Sequence, residues 1–216
     1  MTEKRPIISA ADLKVVEYLN RYSCLTVKQL VRIFGWKDAS YANERMLKLV
    51  TLGYVDRKPL PAKGIGRITW VYKLGTEGER YIKEEKRLVP YRFVMGAGKY
   101  LMPVWWHTLA TQDFFVTAET WVNARKRLGE DIDIEKMATE LDIKRDKKNF
   151  PPNSSILIPD GWIDIRYAER HRRSRLLLEV ETGTQFPAVV REKIKRHIIF
   201  ADKHYEVILA HVGSEV

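Results

Sequence analysis

Apolar residues recur at helical spacing near the start of the chain. Leu13, Val16 and Leu19 predict a helix over roughly Ala10–Asn20. A second helix has a clear start. Thr26-Val27-Lys28-Gln29 forms a capping box, Leu25 and Leu30 suit a hydrophobic staple, and Gly35 ends the run. A third helix is expected from about Ser40 to Leu52, with Gly53 as its C-terminal cap. Its apolar side uses Ala42, Met46, Leu49 and Val50, and its polar side shows Tyr41, Glu44, Arg45 and Lys48. The period then changes from helical to alternating. Gly53–Lys58 predicts a strand, Pro59–Ile68 a turning loop, Thr69–Leu74 a returning strand, and Thr76–Glu85 a closing helix.

Beyond Pro90, Gly96 and Gly98 loosen the chain, which places a linker at about 88–100 between a domain at 8–87 and another at 101–216. The second domain opens with a helix from Val104 to about Leu128, for which Leu109, Phe114, Val116 and Trp121 offer packing groups. Residues 129–153 are charged and irregular. They read as a solvated insertion closed by Pro151-Pro152, with a short helix within Asp131–Leu141. Two apolar runs follow, Ile156–Trp162 and Leu176–Glu181, separated by a basic turn. A helix over Ala188–Asp202 turns Val190, Ile194 and Ile198 to a sheet, with Lys193 and His197 on another face. Tyr205–Ala210 is a final strand.

Composition narrows the class. The chain has 216 residues, 45% hydrophobic and 31% charged, which is ordinary for a folded globular protein. No apolar run approaches a membrane span, and the N-terminus lacks the apolar core of a secretory signal. With one cysteine, Cys24, no internal disulfide or cysteine-based zinc cluster can form, and Cys24 reads as a small buried hydrophobe. These features lead us to expect a cytoplasmic protein with no membrane partner.

Charge adds direction. The net charge is +10, and residues 1–90 hold 18 Lys and Arg against 10 Asp and Glu. A concentrated cationic surface favours a polyanion through phosphate contacts and counterion release; charge that serves only solubility is the alternative. On the third helix, Tyr41, Asn43, Arg45 and Lys48 are candidates for the major groove of double-stranded DNA. Arg57, Lys58, Lys63 and Arg67 on the hairpin are candidates for its phosphates. The order helix–helix–helix–hairpin–helix, with Tyr72-Lys73-Leu74-Gly75-Thr76-Glu77-Gly78 at the strand-to-helix junction, resembles the winged helix-turn-helix DNA-binding domain. A winged helix used for protein contacts is the competing reading.

The chemistry-bearing stretch of the second half is Ile156–Phe200. Side chains alternate along strands, so Asp160, Trp162 and Asp164 can share a face, as can Glu179 and Glu181. Carboxylates from neighbouring strands would gather oxygen ligands for a hard cation such as Mg²⁺ or Mn²⁺, with Asp160 and Glu179 as ligands. Such an ion can polarise a phosphodiester for attack by water. The bland reading is a half-buried hairpin whose acids pair with nearby Arg and Lys.

Ile158-Pro159-Asp160 and Glu179-Val180-Glu181 resemble the signature of the PD-(D/E)xK nuclease superfamily. The resemblance implies a restriction-endonuclease-like αβββαβ domain, so that the whole chain is α+β. It implies catalytic roles for Asp160 and Glu179. Glu181 stands where the pattern has lysine, and Lys193 on the following helix is the candidate replacement. Glu119 is a candidate accessory acid. His107 on the same helix reads more simply as a structural hydrogen-bonder.

The combination of a winged helix with His107…Asp113, Ile158-Pro159-Asp160, Leu178-Glu179-Val180-Glu181-Thr182-Gly183-Thr184 and Lys193-Ile194 is similar to the replication-relaxation family of bacterial plasmids, phages and integrative elements. That resemblance implies DNA binding in the replication or mobilisation of a mobile element, with replication or conjugation proteins as partners. Three functions stay open. One is a DNA-binding protein whose nuclease-like domain is inactive. The second is a metal-dependent endonuclease targeted by its winged helix. The third is a repressor acting as a homodimer.

Overall fold

The computed structural model describes residues 8–60, 69–90, 102–145, 158–168, 172–181, 188–189, 191–192, 195 and 206–211. Of residues 102–105, 141, 145 and 206–211 only the backbone is described. The chain is mixed α+β and divides into two units, Met1–Gly98 and Lys99–Val216.

In the first unit, α1 (Ala10–Tyr22), α2 (Val27–Phe34) and α3 (Ala39–Thr51) are each entered through a side-chain cap. Thr26 and Gln29 exchange the expected pair of bonds, Thr26 N–H to Gln29 Oε1 at 2.8 Å and Gln29 N–H to Thr26 Oγ1 at 3.3 Å. Ser9 and Asp12 form a second capping box that the sequence reading did not single out. Asp38 caps α3 by accepting from Tyr41 N–H at 2.8 Å. Gly35 closes α2 with φ of 61°, a left-handed conformation that costs glycine little.

Strands β2 (Val55–Leu60) and β3 (Thr69–Leu74) form an antiparallel hairpin, and the short β1 (Leu25–Thr26) pairs with the other edge of β3. Pro59 lies inside β2, although the loop was expected to begin there. An edge strand tolerates it because its outward side needs no N–H donor. Helix α4 (Thr76–Glu84) closes the unit. The turn before β2 docks against the start of α4. Gly75 N–H donates to Tyr54 O at 2.9 Å and Glu77 N–H to Gly53 O at 3.0 Å. A Cβ on Gly78 would stand 2.2 Å from Tyr54 O, so only glycine allows this approach. The core holds Val15, Val16, Leu19, Leu25, Leu30, Ala42, Met46, Leu49, Val71 and Ile82, all with no exposed surface.

The second unit opens with α5 (Met102–Arg127). Its sheet has the order β4-β5-β6-β7, from β4 (Ile132–Thr139), β5 (Gly161–Tyr167), β6 (Arg172–Glu181) and β7 (Glu206–His211). The first two pairings are antiparallel and β6–β7 is parallel. Residues 188, 189, 191, 192 and 195, between β6 and β7, are helical.

Strand β4 corrects the reading of 129–153 as a solvated insertion. Its charges pair rather than dangle: Asp133 with Lys126, and Glu135 with Arg166 and Arg173. A polar edge strand with a register shift between Ile134 and Lys136 disguises its period, and such charges also discourage pairing with foreign strands. The short α6 (Glu140–Arg145) follows directly, with Thr139 and Asp142 exchanging cap bonds. A second correction concerns β5, which begins at Gly161. Ile158, Pro159 and Asp160 precede it rather than lying in a strand from Ile156; residues 156–157 lie outside the described residues. Ala138, Trp162 and Leu177 align across three strands and pack with Ile143 of α6 on one side of the sheet. Gly161, aligned with Leu178, faces Phe115 of α5 on the other.

Candidate functional site

Burial on α3 sorts its residues around the helix. Ala42, Met46 and Leu49 are fully buried, while Ser40, Tyr41, Glu44, Leu47 and Thr51 are exposed. At about 100° per residue, Ser40, Glu44, Leu47 and Thr51 fall on one stripe opposite the core. Tyr41, Arg45 and Lys48 form one flank of that stripe, and Asn43 lies on the other.

The cationic flank is engaged within the molecule. Arg45 Nη2 lies 2.5 Å from Asp12 Oδ1, and Lys48 Nζ lies 3.0 Å from Asp12 Oδ2. Arg45 Nη1 also donates to the Tyr41 hydroxyl at 2.9 Å, and its guanidinium lies over the rings of Trp36 and Tyr41. Burial alone would raise the Asp12 pKa. Hydrogen bonds from the Ser9 backbone and hydroxyl, then Lys48 and Arg45, outweigh it and hold the pKa at about 2. The acid stays charged, and both cations are oriented by it.

On the other flank, the Tyr72 hydroxyl of β3 donates to Asn43 Oδ1 at 3.4 Å. Arg57 of β2 is aligned with Tyr72 and sits 4.4 Å from the centre of the Trp70 ring, within cation–π range. Lys58 is exposed on the same strand. Lys63 and Arg67 lie outside the described residues.

In the second unit, Asp160 is the meeting point of several elements. Its Oδ2 accepts from Val180 N–H of β6 at 2.7 Å and lies 3.1 Å from His107 Nε2 of α5. Its carbonyl accepts from Glu140 N–H of α6 at 3.1 Å. His107, Thr111 and Phe115 follow one another at four-residue spacing, so they share a face of α5. Thr111 Oγ1 donates to the His107 carbonyl at 3.0 Å. Phe115 seats this face on Gly161, where a Cβ would come within 2.6 Å of its Cζ. Helix seating and the histidine contact are therefore set by adjacent residues, Asp160 and Gly161.

Glu179 is buried and Glu181 half-buried on β6, and Lys193 lies outside the described residues. Asp164, on the face of Trp162, is aligned with Lys136 and Arg175 and pairs with Arg173 at 3.3 Å and Arg175 at 3.6 Å. Burial raises its pKa, opposed by Arg175. These pairs match the bland reading of the hairpin acids at this position.

Among the described residues no three His, Cys, Asp or Glu side chains stand together as metal ligands. One oxygen of Asp160 already meets a backbone N–H and an imidazole. Three contributors were not read from sequence: Asp12, Trp70 and the pairing of His107 with Asp160. Asp12 had a signal, since Ser9-x-x-Asp12 precedes an apolar helix. The other two depend on tertiary neighbours with no local signature.

The first unit thus has the architecture of a winged helix-turn-helix, with α3 as its exposed helix. A family model described as Replication-relaxation matches residues 16–209. The chain belongs to the replication-relaxation family. No curated protein matches the chain. Among solved structures, a mutant MarR from E. coli complexed with operator DNA is similar at 26% identity, over 38% of this chain and 55% of that one, with a TM-score of 0.33. A mutant MarR from E. coli described without DNA is similar at 25% identity, over 38% of this chain and 67% of that one, with a TM-score of 0.29. No helix among the described residues is long and apolar enough to cross a membrane.

Proposed function

We propose that the protein binds double-stranded DNA through its first unit and acts in the replication or mobilisation of a bacterial plasmid, phage or integrative element. The observation that carries this reading is α3 itself. It is an exposed helix on a closed winged frame, flanked by oriented Arg45 and Lys48 on one side and by Asn43 and Arg57 on the other. The positive excess of residues 1–90 supports it. Membership of the replication-relaxation family supports the biological setting. In this reading the second unit is a nuclease-like body that does not cleave, and it serves assembly with replication or conjugation proteins. The engagement of Asp160 by Val180 and His107 supports that role.

The test has two arms on the full chain. Fluorescence anisotropy with a mixed-sequence duplex should show binding that falls steeply with salt. Incubation with supercoiled plasmid and Mg²⁺ or Mn²⁺ should leave the plasmid supercoiled. Absence of duplex binding at low salt overturns the DNA-binding reading. Metal-dependent nicking that disappears in Asp160→Ala overturns the non-cleaving assignment and makes the protein an endonuclease.

A further inference from the structure

We infer that α3 enters the major groove on the stripe of Ser40, Glu44, Leu47 and Thr51, and that Leu47 reads the methyl group of a thymine. This inference rests on the proposed duplex binding and adds to it the edge of α3 that meets the bases.

Tyr41, Arg45 and Lys48 look from sequence like the reading face. Arg45 and Lys48, however, are drawn toward Asp12 of α1, at 2.5 and 3.0 Å. Tyr41 is bonded to Arg45. A cation held by a buried acid at the side of a helix is placed to meet a phosphate strand rather than a base edge. On the opposite flank, Asn43 is bonded to Tyr72, whose neighbour Arg57 is held on Trp70. The two flanks therefore carry fixed cations, and the stripe between them carries none. That is the charge pattern a groove demands, with positive rims against two phosphate strands and uncharged or acceptor groups at its floor.

Leu47 is the distinctive member of the stripe. It is 42% exposed, at the centre of the helix, between Glu44 and Thr51. Its carbonyl accepts from the Thr51 hydroxyl at 3.0 Å, so the turn beneath it is well tied. A large apolar side chain at the centre of a groove-reading edge has one apolar partner on the floor of the major groove, the thymine C5-methyl. Glu44 beside it is an acceptor suited to the cytosine amino group.

The experiment selects preferred duplexes from a random pool with the full-length protein. Each thymine in them is then replaced in turn by deoxyuridine, which removes only the methyl. Loss of one buried methyl should weaken binding about fourfold at one thymine of the site. The Leu47→Ala protein should bind the thymine and deoxyuridine duplexes alike. Leu47→Gln, which keeps side-chain length without the branched apolar end, should behave as Leu47→Ala does; the position is exposed, and thermal melting confirms that each variant folds. If no thymine responds, or if the response persists in both variants, the inference is overturned while duplex binding stands. If the selection recovers no duplex at all, the proposed function falls and this inference with it.

Discussion

Arg45 on α3 reaches Asp12 on α1, with Nη2 2.5 Å from Oδ1, although Asp12 is only 1% exposed. A buried acid of α1 thus ties down the cationic flank of the exposed α3. The same carboxylate caps α1 through Ser9, so one residue serves a local and a tertiary role.

That double role has a pH signature. The Asp12 pKa falls from 3.8 to about 2 on folding. A depressed acid contributes stability that is full above its unfolded pKa and lost as pH falls through its folded pKa. The contribution is about 2 kcal/mol at neutral pH. The protection of α1 amides, measured as the exchange rate relative to the unstructured peptide at the same pH, should therefore fall in wild type between about pH 4 and pH 2. Asp12→Asn should exchange faster at neutral pH and lose that dependence.

Gly78 is a test of close approach. Alanine is the better helix former by about 1 kcal/mol. A Cβ there would nonetheless meet backbone, Tyr54 O at 2.2 Å, which cannot rotate away. Gly78→Ala should destabilise the first unit by about 1–3 kcal/mol in urea unfolding, opposite in sign to propensity.

Gly161 offers a reversible counterpart. Its added Cβ would meet the end of the Phe115 ring at 2.6 Å, and a side chain can be trimmed. Gly161→Ala should destabilise the second unit. Phe115→Leu should cost less in that background than alone, so a double-mutant cycle should show coupling of about 0.5–3 kcal/mol.

Asp160→Ala should destabilise rather than relieve repulsion. It leaves the Val180 N–H without its carboxylate and His107 without its acid. A buried donor left unsatisfied costs about 1–3 kcal/mol. Differential scanning calorimetry of the full chain should show one transition lowered. An unchanged or raised transition would mean that the acid carries unpaired charge.

Lys58 is exposed on β2, where it can meet a phosphate directly. Lys58→Ala should weaken all duplexes alike and lower the slope of log affinity against log salt by about one unit. Trp70→Leu should also weaken all duplexes alike, by releasing Arg57 from its place beside the phosphates.

Local rules made much of the first unit legible. The Thr26–Gln29 box, Gly35 and Gly53 are written in adjacent residues, and the helices they bound lie within a few positions of expectation. Strand β4 was illegible because Asp133, Glu135 and Lys136 read as solvent-facing until Lys126, Arg166 and Arg173 are known to stand beside them. The polar face of α3 was visible as a face. Which of its cations were already engaged was not, since Asp12 lies on a different helix. The same holds for Asp160 and His107, which only the folded sheet brings together.

The parallel pairing of β6 with β7 bears on the order of assembly. Antiparallel β5 and β6 are close in sequence, Tyr167 opposite Arg172, whereas Leu176 must find Glu206. The strand pairings described in the first unit all lie before residue 75, with Leu25 opposite Tyr72 and Val55 opposite Leu74. On a ribosome the first unit can complete its fold while the last strand of the second has yet to be made. The long closure that follows should make the second unit the slower to fold. A nascent chain would then carry a finished winged helix ahead of an unfinished sheet.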